Sequence, residues 1–313
     1  MQIRLDPSLT ETVTLQEITR RQEMGDLAPF REYHLAADPL YHCHPDTREA
    51  GFRRLHALFF ERLGYAQGVQ QAVHEFPEIE ARASEVVVAL AATSVEEGAD
   101  LARERVNGNG RATTRVGIRL QADRFLDLST LQRYLRHELC HVTDLLNPDF
   151  GYEGDTVEII IRNRYRLLWC LSIDARLETA GREPLADKPM HWRQFDAQYG
   201  KFATAVRQAI FERLWRPEPV SHTSLLLMAR SSEALLRLAG DAGQKGEGGP
   251  RPTLLPGSPC PLCRFPSYHF VEHRSLLDST LTAAIQQDFP DWTSDKGLCA
   301  RCLEAYALRT GRW

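Results

Sequence analysis

Two Cys-x-x-Cys pairs near the end of the sequence constrain the fold of this chain more than any other feature. They are Cys260 with Cys263 and Cys299 with Cys302, separated by 35 residues. Each pair places two thiolates on a tight turn, and two such turns complete a tetrahedral four-cysteine site for Zn²⁺. The segment 260–313 is too short for a large hydrophobic core, so a structural metal is expected to stabilise it. A rubredoxin-like iron site and a redox-active dithiol are the alternatives.

A change in composition marks the start of this cysteine-rich segment. Residues 240–259 are rich in Gly and Pro and hold few core-forming side chains, which is typical of a linker. The sequence therefore predicts a main domain over 1–239, a linker over 240–259 and a four-cysteine zinc-finger domain over 260–313. A length of 313 residues agrees with more than one domain.

The main domain contains a second candidate metal site in the stretch HELCH. His137 and His141 are four residues apart, so on a helix both imidazoles can bind one Zn²⁺. Glu138 points about 100° away from His137 and is suited to accept the proton of a zinc-activated water. Asp127 or Ser129 can serve as the N-cap of this helix. A helix that carries two histidines without a metal is the alternative.

The pattern around this motif predicts an α+β fold. Residues 85–92 (EVVVALAA) are typical of a buried strand, and 106–111 (VNGNGR) of a turn. The stretch 113–125 then alternates, which predicts a half-exposed strand with Val116, Ile118 and Leu120 on its buried face. Helical patterns follow the motif over about 156–179, 189–215 and 221–239.

A strand followed by an HExxH helix resembles the zincin metallopeptidases, and the likeness covers roughly residues 85–180. The resemblance implies a zincin-like domain with a small mixed sheet, the motif helix and a helical second half. It also implies hydrolysis of a peptide bond, with Glu138 as general base. In zincins the strand ahead of the motif helix borders the cleft and receives the substrate as an added strand. By resemblance, TTRVGIRLQA (113–122) is expected to be that edge.

The resemblance calls for a third zinc ligand, and the sequence offers several candidates. Metzincins would require Gly at Asp144 and a ligand at Asn147, so that group is excluded. Gluzincins take an acidic ligand from a later helix, and CLSIDARLETAG places Asp174 and Glu178 on one helical face. Asp174 is preferred because a carboxylate inside an apolar run is costly to bury without a partner. Glu178 is the alternative.

HELCH followed by a zinc module also resembles the SprT-like metalloproteases, whose third ligand is a histidine. MHWRQF would then supply His191, although the spacing is long and the His-Gly pair of that family is absent. A donor to the developing oxyanion is required as well. The candidates are Tyr152, Tyr165, His191 and His222.

The cysteine-rich segment resembles a zinc-ribbon or treble-clef finger, because CARCLEAYALRTG continues as a helix. From 260 to 313 six basic residues balance six acidic ones, so the net charge is zero. A neutral finger lacks the electrostatic footprint of a phosphate binder. The sequence therefore favours a protein contact over nucleic acid.

Overall composition points to a cytoplasmic protein without a membrane segment. Lys and Arg total 38 against 42 for Asp and Glu, and no run of 18 apolar residues occurs. The first residues lack the apolar region of a signal peptide. Cys140 and Cys170 are expected to be packing residues. A peptide or protein substrate is the expected partner, and a zinc-binding interaction or assembly protein without turnover is the alternative function.

Overall fold

The computed structural model describes residues 1–105, 112–154, 157–240, 254–271 and 277–311. These residues form an α+β structure that is mostly helical, with a small mixed sheet. They divide into two compact units, one of Met1–Phe150 with Glu183–Leu185 and one of Gly151–Arg182 with Ala186–Trp313. The predicted turn at 106–111 and most of the predicted linker lie outside the described residues. The predicted domain boundaries stay a prediction.

The first unit contains a four-stranded sheet. Its strands are β1 (Gln2–Leu5), β2 (Glu85–Leu90), β3 (Gly98–Arg105) and β4 (Ala112–Leu120), arranged in the order β1-β2-β4-β3. The first two strands and β4 run parallel, whereas β3 is antiparallel to β4. Val86 pairs with Val116 and Val88 with Ile118, and all four are fully buried. The alternating apolar residues therefore form one buried face of the sheet, as predicted.

The edge of the sheet differs from the expectation drawn from zincins. The expected edge segment, 113–122, forms β4, which lies between β2 and β3. The edge strand on this side is β3, whose sequence GADLARER has too few apolar or β-branched residues to signal a strand. Pairing with β4 along its whole length holds β3 in place.

Helices cover the sheet and complete the first unit. They are α1 (Pro7–Glu23), α2 (Ala28–Tyr41), α3 (Pro45–Arg62), α4 (Tyr65–His74), α5 (Pro77–Arg82) and α6 (Leu128–Leu146). Residues 45–74 form two helices, α3 and α4, and not one. Gly64 separates them with a φ of +83°, a left-handed conformation that favours glycine.

α6 carries the HELCH stretch and packs by a continuous apolar stripe. Leu131, Leu135 and Leu139 are fully buried in the same core as β2 and β4. Of the two predicted N-caps, Asp127 is the one observed, and its Oδ1 accepts the N–H of Ser129 at 2.9 Å. Hydrogen bonds from the side chains of Thr130 and Ser129 lower the pKa of Asp127 to about 2. The cap therefore stays ionised at neutral pH.

The second unit is a helical assembly joined to a small cysteine-rich module. Its elements are α7 (Ile159–Thr179), α8 (Lys188–Gln198), α9 (Thr204–Leu214), α10 (His222–Arg230), α11 (Ser232–Ala239), β5 (Ser258–Pro259), β6 (Pro266–Ser267), α12 (Ser279–Asp288) and α13 (Ala300–Arg309). The predicted helices over 189–215 and 221–239 are each two helices. Ser231 ends α10 and precedes α11, in an extended conformation that interrupts the helical path. None of the described helices has the length and apolar character needed to cross a membrane.

A buried arginine joins α7 to the segment that leads into the cysteine module. The Nε of Arg164 donates to the carbonyl of Ala229 at 2.6 Å, and its Nη1 donates to the carbonyl of Pro256. Burial lowers the pKa of Arg164. One guanidinium therefore satisfies two backbone carbonyls from two parts of the second unit.

We expect Arg164→Met to lower the free energy of unfolding by about 2 kcal/mol, because two carbonyls lose their donor. Chemical denaturation measures the change. Arg162→Met is the matched control, since Arg162 is exposed on the same helix. Equal stability of the two variants would contradict the role given to Arg164.

Candidate metal centres

The four cysteines predicted to bind zinc come together in the second unit. Cys260 and Cys263 lie between β5 and β6, Cys299 is the N-cap of α13, and Cys302 lies in its first turn. Their sulfur atoms all lie within 4.8 Å of one another. The Sγ atoms of Cys260 and Cys302 are 3.8 Å apart, and those of Cys263 and Cys299 are 3.9 Å apart. Tetrahedral Zn–S bonds of about 2.3 Å require sulfurs roughly 3.8 Å apart, so the cluster fits zinc.

Backbone N–H groups favour the thiolate form of one of the four cysteines, and the thiolate is the form that binds a cation. Burial opposes ionisation of Cys260, but N–H groups that include those of Cys263 and Cys299 point at its sulfur and lower its pKa overall. Burial raises the pKa of Cys299 and of Cys302. Binding of a metal must therefore displace protons from these thiols.

A small apolar core surrounds the cysteines. Leu281, Ile285, Trp292 and Leu298 are buried together with them. The indole N–H of Trp292 donates to the carbonyl of Gly297 at 3.0 Å, which ties this core to the segment before Cys299. So few apolar side chains supply little hydrophobic stabilisation, and a metal is the natural complement.

We expect Cys260→Ser to remove one zinc ion per chain, because a serine hydroxyl is a far weaker zinc ligand than a thiolate. Metal analysis of protein purified without an affinity metal measures this loss. Cys43→Ser is the matched control, since Cys43 is exposed and lies outside the cluster. An unchanged zinc content in Cys260→Ser would show that the cluster is not a zinc site.

The HELCH stretch brings two imidazoles together in the first unit. The Nε2 atoms of His137 and His141 are 3.2 Å apart, and both side chains are buried. Tetrahedral Zn–N bonds of 2.0–2.1 Å place two nitrogens about 3.3 Å apart. The rings are inclined at 75°, so both nitrogens converge on one point while the rings diverge. The pair therefore fits two ligands of a single ion.

Glu138 lies beside this pair and contacts the edge strand. Its Oε2 accepts the backbone N–H of Ala99, the second residue of β3, at 3.0 Å. The preceding residue, Gly98, has a φ of +146°, and a Cβ there would lie 3.5 Å from the same carboxylate oxygen. The space would admit a Cβ, so it is the positive φ that favours glycine at this position. The structure thus bonds the carboxylate next to His137 in sequence to β3, the edge strand of the described sheet.

The contact with Glu138 also shows which backbone groups β3 presents at its open edge. The N–H of Ala99 points to Glu138 and away from β4. Backbone directions alternate along a strand, so Leu101 and Arg103 point to the same edge. In agreement, the N–H of Leu101 donates to the carboxylate of Asp100 at 2.7 Å. An added strand could pair with these groups.

An ion pair between buried Glu97 and half-buried Arg124, not foreseen from the sequence, fixes the start of β3. The carboxylate of Glu97 accepts the N–H of Gln121 at 3.0 Å and two hydrogen bonds from Arg124, at 2.9 and 2.8 Å. The guanidinium of Arg124 lies 4.4 Å from the ring centroid of Tyr134, one turn before Glu138 on α6. Burial opposes ionisation of Glu97, but Arg124 and the N–H of Gln121 hold its pKa below the usual range. Contacts thus link Tyr134 of α6, through Arg124 and Glu97, to the start of β3. The second residue of β3 in turn bonds to Glu138 of α6.

We expect Glu97→Gln to weaken the bonds from Arg124 that hold the start of β3. Hydrogen exchange of the Ala99 amide should therefore become about tenfold faster at pH 7. NMR of protein labelled with ¹⁵N-alanine measures the rate. Glu97 has a lowered folded pKa, so its stabilising effect is complete above its ordinary pKa of about 4.5 and is lost as the pH falls through the lowered value. The difference between variant and wild type should therefore vanish in acid.

Glu96→Gln is the control for Glu97→Gln. Glu96 is the neighbouring exposed residue, and its carboxylate accepts only the N–H of Ala92 among its described hydrogen bonds. Exchange of the Ala99 amide should match the wild type in this variant. Equal acceleration in both variants would contradict the role of Glu97.

The candidates for the third ligand all lie in the second unit, and two of them form a pair. Asp174 is fully buried, and its Oδ2 lies 2.7 Å from the Nε2 of His191 and accepts the N–H of Ala186 at 3.1 Å. Glu178 accepts the indole N–H of Trp215 at 2.8 Å. The residues treated as alternatives in the sequence, Asp174 and His191, therefore interact. Which residue completes the zinc site stays a prediction.

α7 also carries Cys170, one turn before Asp174 on the same helical face and half-buried. The sequence shows this spacing, but Cys170 lies in an apolar stretch, which favours a packing role for it. Three side chains of metal-binding type, Cys170, Asp174 and Glu178, therefore follow one another along α7 at intervals of one turn.

Three of the candidate oxyanion donors lie together in the second unit. The hydroxyl of Tyr165 is 2.8 Å from the Nδ1 of His222, and the ring of Tyr152 packs edge-on against His222 at 5.3 Å. The role of this group in catalysis stays a prediction. Comparison of the chain with protein families, curated proteins and solved structures gave no match.

Proposed function

We propose that the chain is a zinc-dependent metallopeptidase that hydrolyses a peptide bond of an extended peptide. One observation carries the proposal: α6 presents a convergent histidine pair and, at the next residue after His137, a glutamate that hydrogen-bonds the edge strand β3, all within one unit. A helix that only happened to carry two histidines would have no need of this strand edge beside them.

The residues present suit hydrolysis by general-base catalysis. Zinc held by His137 and His141 would supply a Lewis acid that lowers the pKa of water to about 7. Glu138 then accepts a proton as water adds to the carbonyl carbon. It returns that proton to the amine nitrogen as the C–N bond breaks, so it ends each cycle as a carboxylate. The N–H of Ala99 donates to this carboxylate and fixes its orientation.

The open edge of β3 supports an extended peptide as the class of substrate. The N–H of Arg103, and that of Leu101 once the peptide displaces the Asp100 carboxylate, would align the peptide antiparallel or parallel to β3, without requiring particular side chains. Glu138 lies at the start of that edge, so a peptide bond aligned there would reach the general base.

The third ligand is proposed to come from α7. Asp174 remains the first choice from the sequence, with Glu178 as the alternative. The hydrogen bond between Asp174 and His191 also suits the SprT-like arrangement, in which Asp174 would orient His191 as ligand. The thiolate of Cys170 adds a further donor on the same face of α7. Zinc content of Asp174→Asn, Glu178→Gln, His191→Phe and Cys170→Ser distinguishes them.

A specific observation favours a second candidate function, a zinc-binding interaction or assembly protein without turnover. Asp174 and Glu178 both accept hydrogen bonds from within the second unit, as carboxylates with structural roles do. The four-cysteine cluster is proposed as structural zinc in either case. The balanced charge of 260–313 supports a protein contact for this module.

We expect Glu138→Gln to reduce cleavage of an unfolded probe, denatured casein, by about 10²–10⁴-fold while zinc content stays at the wild-type value. His137→Ala should lose both activity and one zinc ion per chain. Glu96→Gln is the control for a surface Glu→Gln change. Cleavage that persists in Glu138→Gln would refute this mechanism, and zinc binding without cleavage in the wild type would support the assembly function.

A further inference from the structure

A cavity of about 680 Å³ lies among α1, α2 and α3 in the first unit, and neither metal centre uses it. Its volume falls within the range of small-molecule sites, about 300–1,000 Å³. Its lining includes four aromatic side chains, namely Phe30, Tyr33, Tyr41 and Phe52. A cavity of this size and lining is suited to a ligand that has a flat apolar group.

We call Tyr33 and His56, two buried side chains that line the cavity, its floor. Their polar atoms already hydrogen-bond each other. The hydroxyl of Tyr33 lies 2.9 Å from the Nε2 of His56, and the two buried rings are stacked. The hydroxyl of Thr14 in α1 donates to the carbonyl of His56 in α3 at 3.3 Å, which joins the two helices. Burial lowers the pKa of His56 and raises that of Tyr33, so both stay neutral at pH 7. These two side chains therefore give the cavity a fixed shape but no charge at pH 7.

The walls are aromatic and partly open. The rings of Phe30 and His34 lie 4.2 Å apart, and those of Tyr41 and Phe52 meet edge to face at 5.2 Å. Tyr41 is 55% exposed, so the aromatic lining is reached from solvent. Rings that are exposed in this way gain from stacking against a further ring.

The charges around the cavity leave one anion and one cation unmatched. Glu49 and Arg53 pair with each other at 3.0 Å. Glu11 makes no ion pair or hydrogen bond within the described part of the chain, although its charge acts on both Tyr33 and His56. Arg48 donates to the carbonyl of Cys43 at 3.1 Å, yet its buried Nε has no partner among the described residues. A ligand with a single charge would leave one of these two groups unmatched.

We propose that this cavity binds a free aromatic α-amino acid. The ring of the ligand lies among Phe30, Tyr41 and Phe52, its ammonium pairs with Glu11, and its carboxylate pairs with Arg48. A zwitterion with an aromatic side chain matches the neutral floor, the aromatic walls and both unmatched charges. No other role described for this chain involves the cavity.

Calorimetric titration of the full zinc-loaded chain with L-phenylalanine and L-tryptophan tests the proposal. Three analogues each lack one feature: phenethylamine the carboxylate, 3-phenylpropionate the ammonium and L-alanine the ring. We expect each analogue to bind at least about tenfold more weakly than L-phenylalanine. Equal binding of the analogues, or no binding of either amino acid at millimolar concentration, would overturn the proposal.

Two variants assign the charges. Glu11→Gln should weaken binding of L-phenylalanine about tenfold but leave 3-phenylpropionate unchanged, and Arg48→Gln should spare only phenethylamine. Glu32→Gln, an exposed change on α2 outside the cavity, should alter nothing. Variants that affect all ligands alike, or none, would contradict the assignment. If Arg48→Gln does not fold, the analogues on wild-type protein decide the question alone.

Discussion

The packing of α6 against the mixed sheet determines the geometry of the first unit. Leu131, Leu135 and Leu139 enter the core that contains Val116 and Ile118. Each buried leucine contributes about 1.5–3 kcal/mol, more than a surface ion pair or a cap provides. Burial of this stripe sets the rotation of the helix, and that rotation decides where the neighbouring polar side chains point. The direction of the histidine pair and of Glu138 is therefore a consequence of the hydrophobic core.

The cysteine module depends on a different kind of interaction. Its apolar core is small, and its strands β5 and β6 are only two residues long. A metal ion bound by the four converging cysteines would supply the stability that apolar burial cannot supply at this size. Arg164 then connects the segment leading into this module to α7 through two backbone carbonyls. The second unit thus combines a four-cysteine cluster able to hold a metal ion, a buried guanidinium and helix packing.

The sequence predicted those features whose signal is local. The buried strand β2, the alternation of β4, the cap at Asp127 and the meeting of the four cysteines all follow from spacing and residue type. Strand β3 was missed because its sequence is charged and its stability comes from pairing with β4. The role of Glu97 and the pairing of Asp174 with His191 were not predicted because they depend on residues distant in sequence. Local sequence patterns identify candidate residues for a site, whereas the tertiary structure determines which of these residues are in contact.

The open edge of β3 also bears on self-association. A free strand edge can pair with the same edge of another copy, and natural proteins protect such edges. Here two acceptors from the chain itself occupy the first outward N–H groups, since Glu138 takes that of Ala99 and Asp100 takes that of Leu101. Any incoming strand must first compete with these carboxylates. The carboxylates that a substrate peptide would have to displace therefore also make this edge a poor template for aggregation.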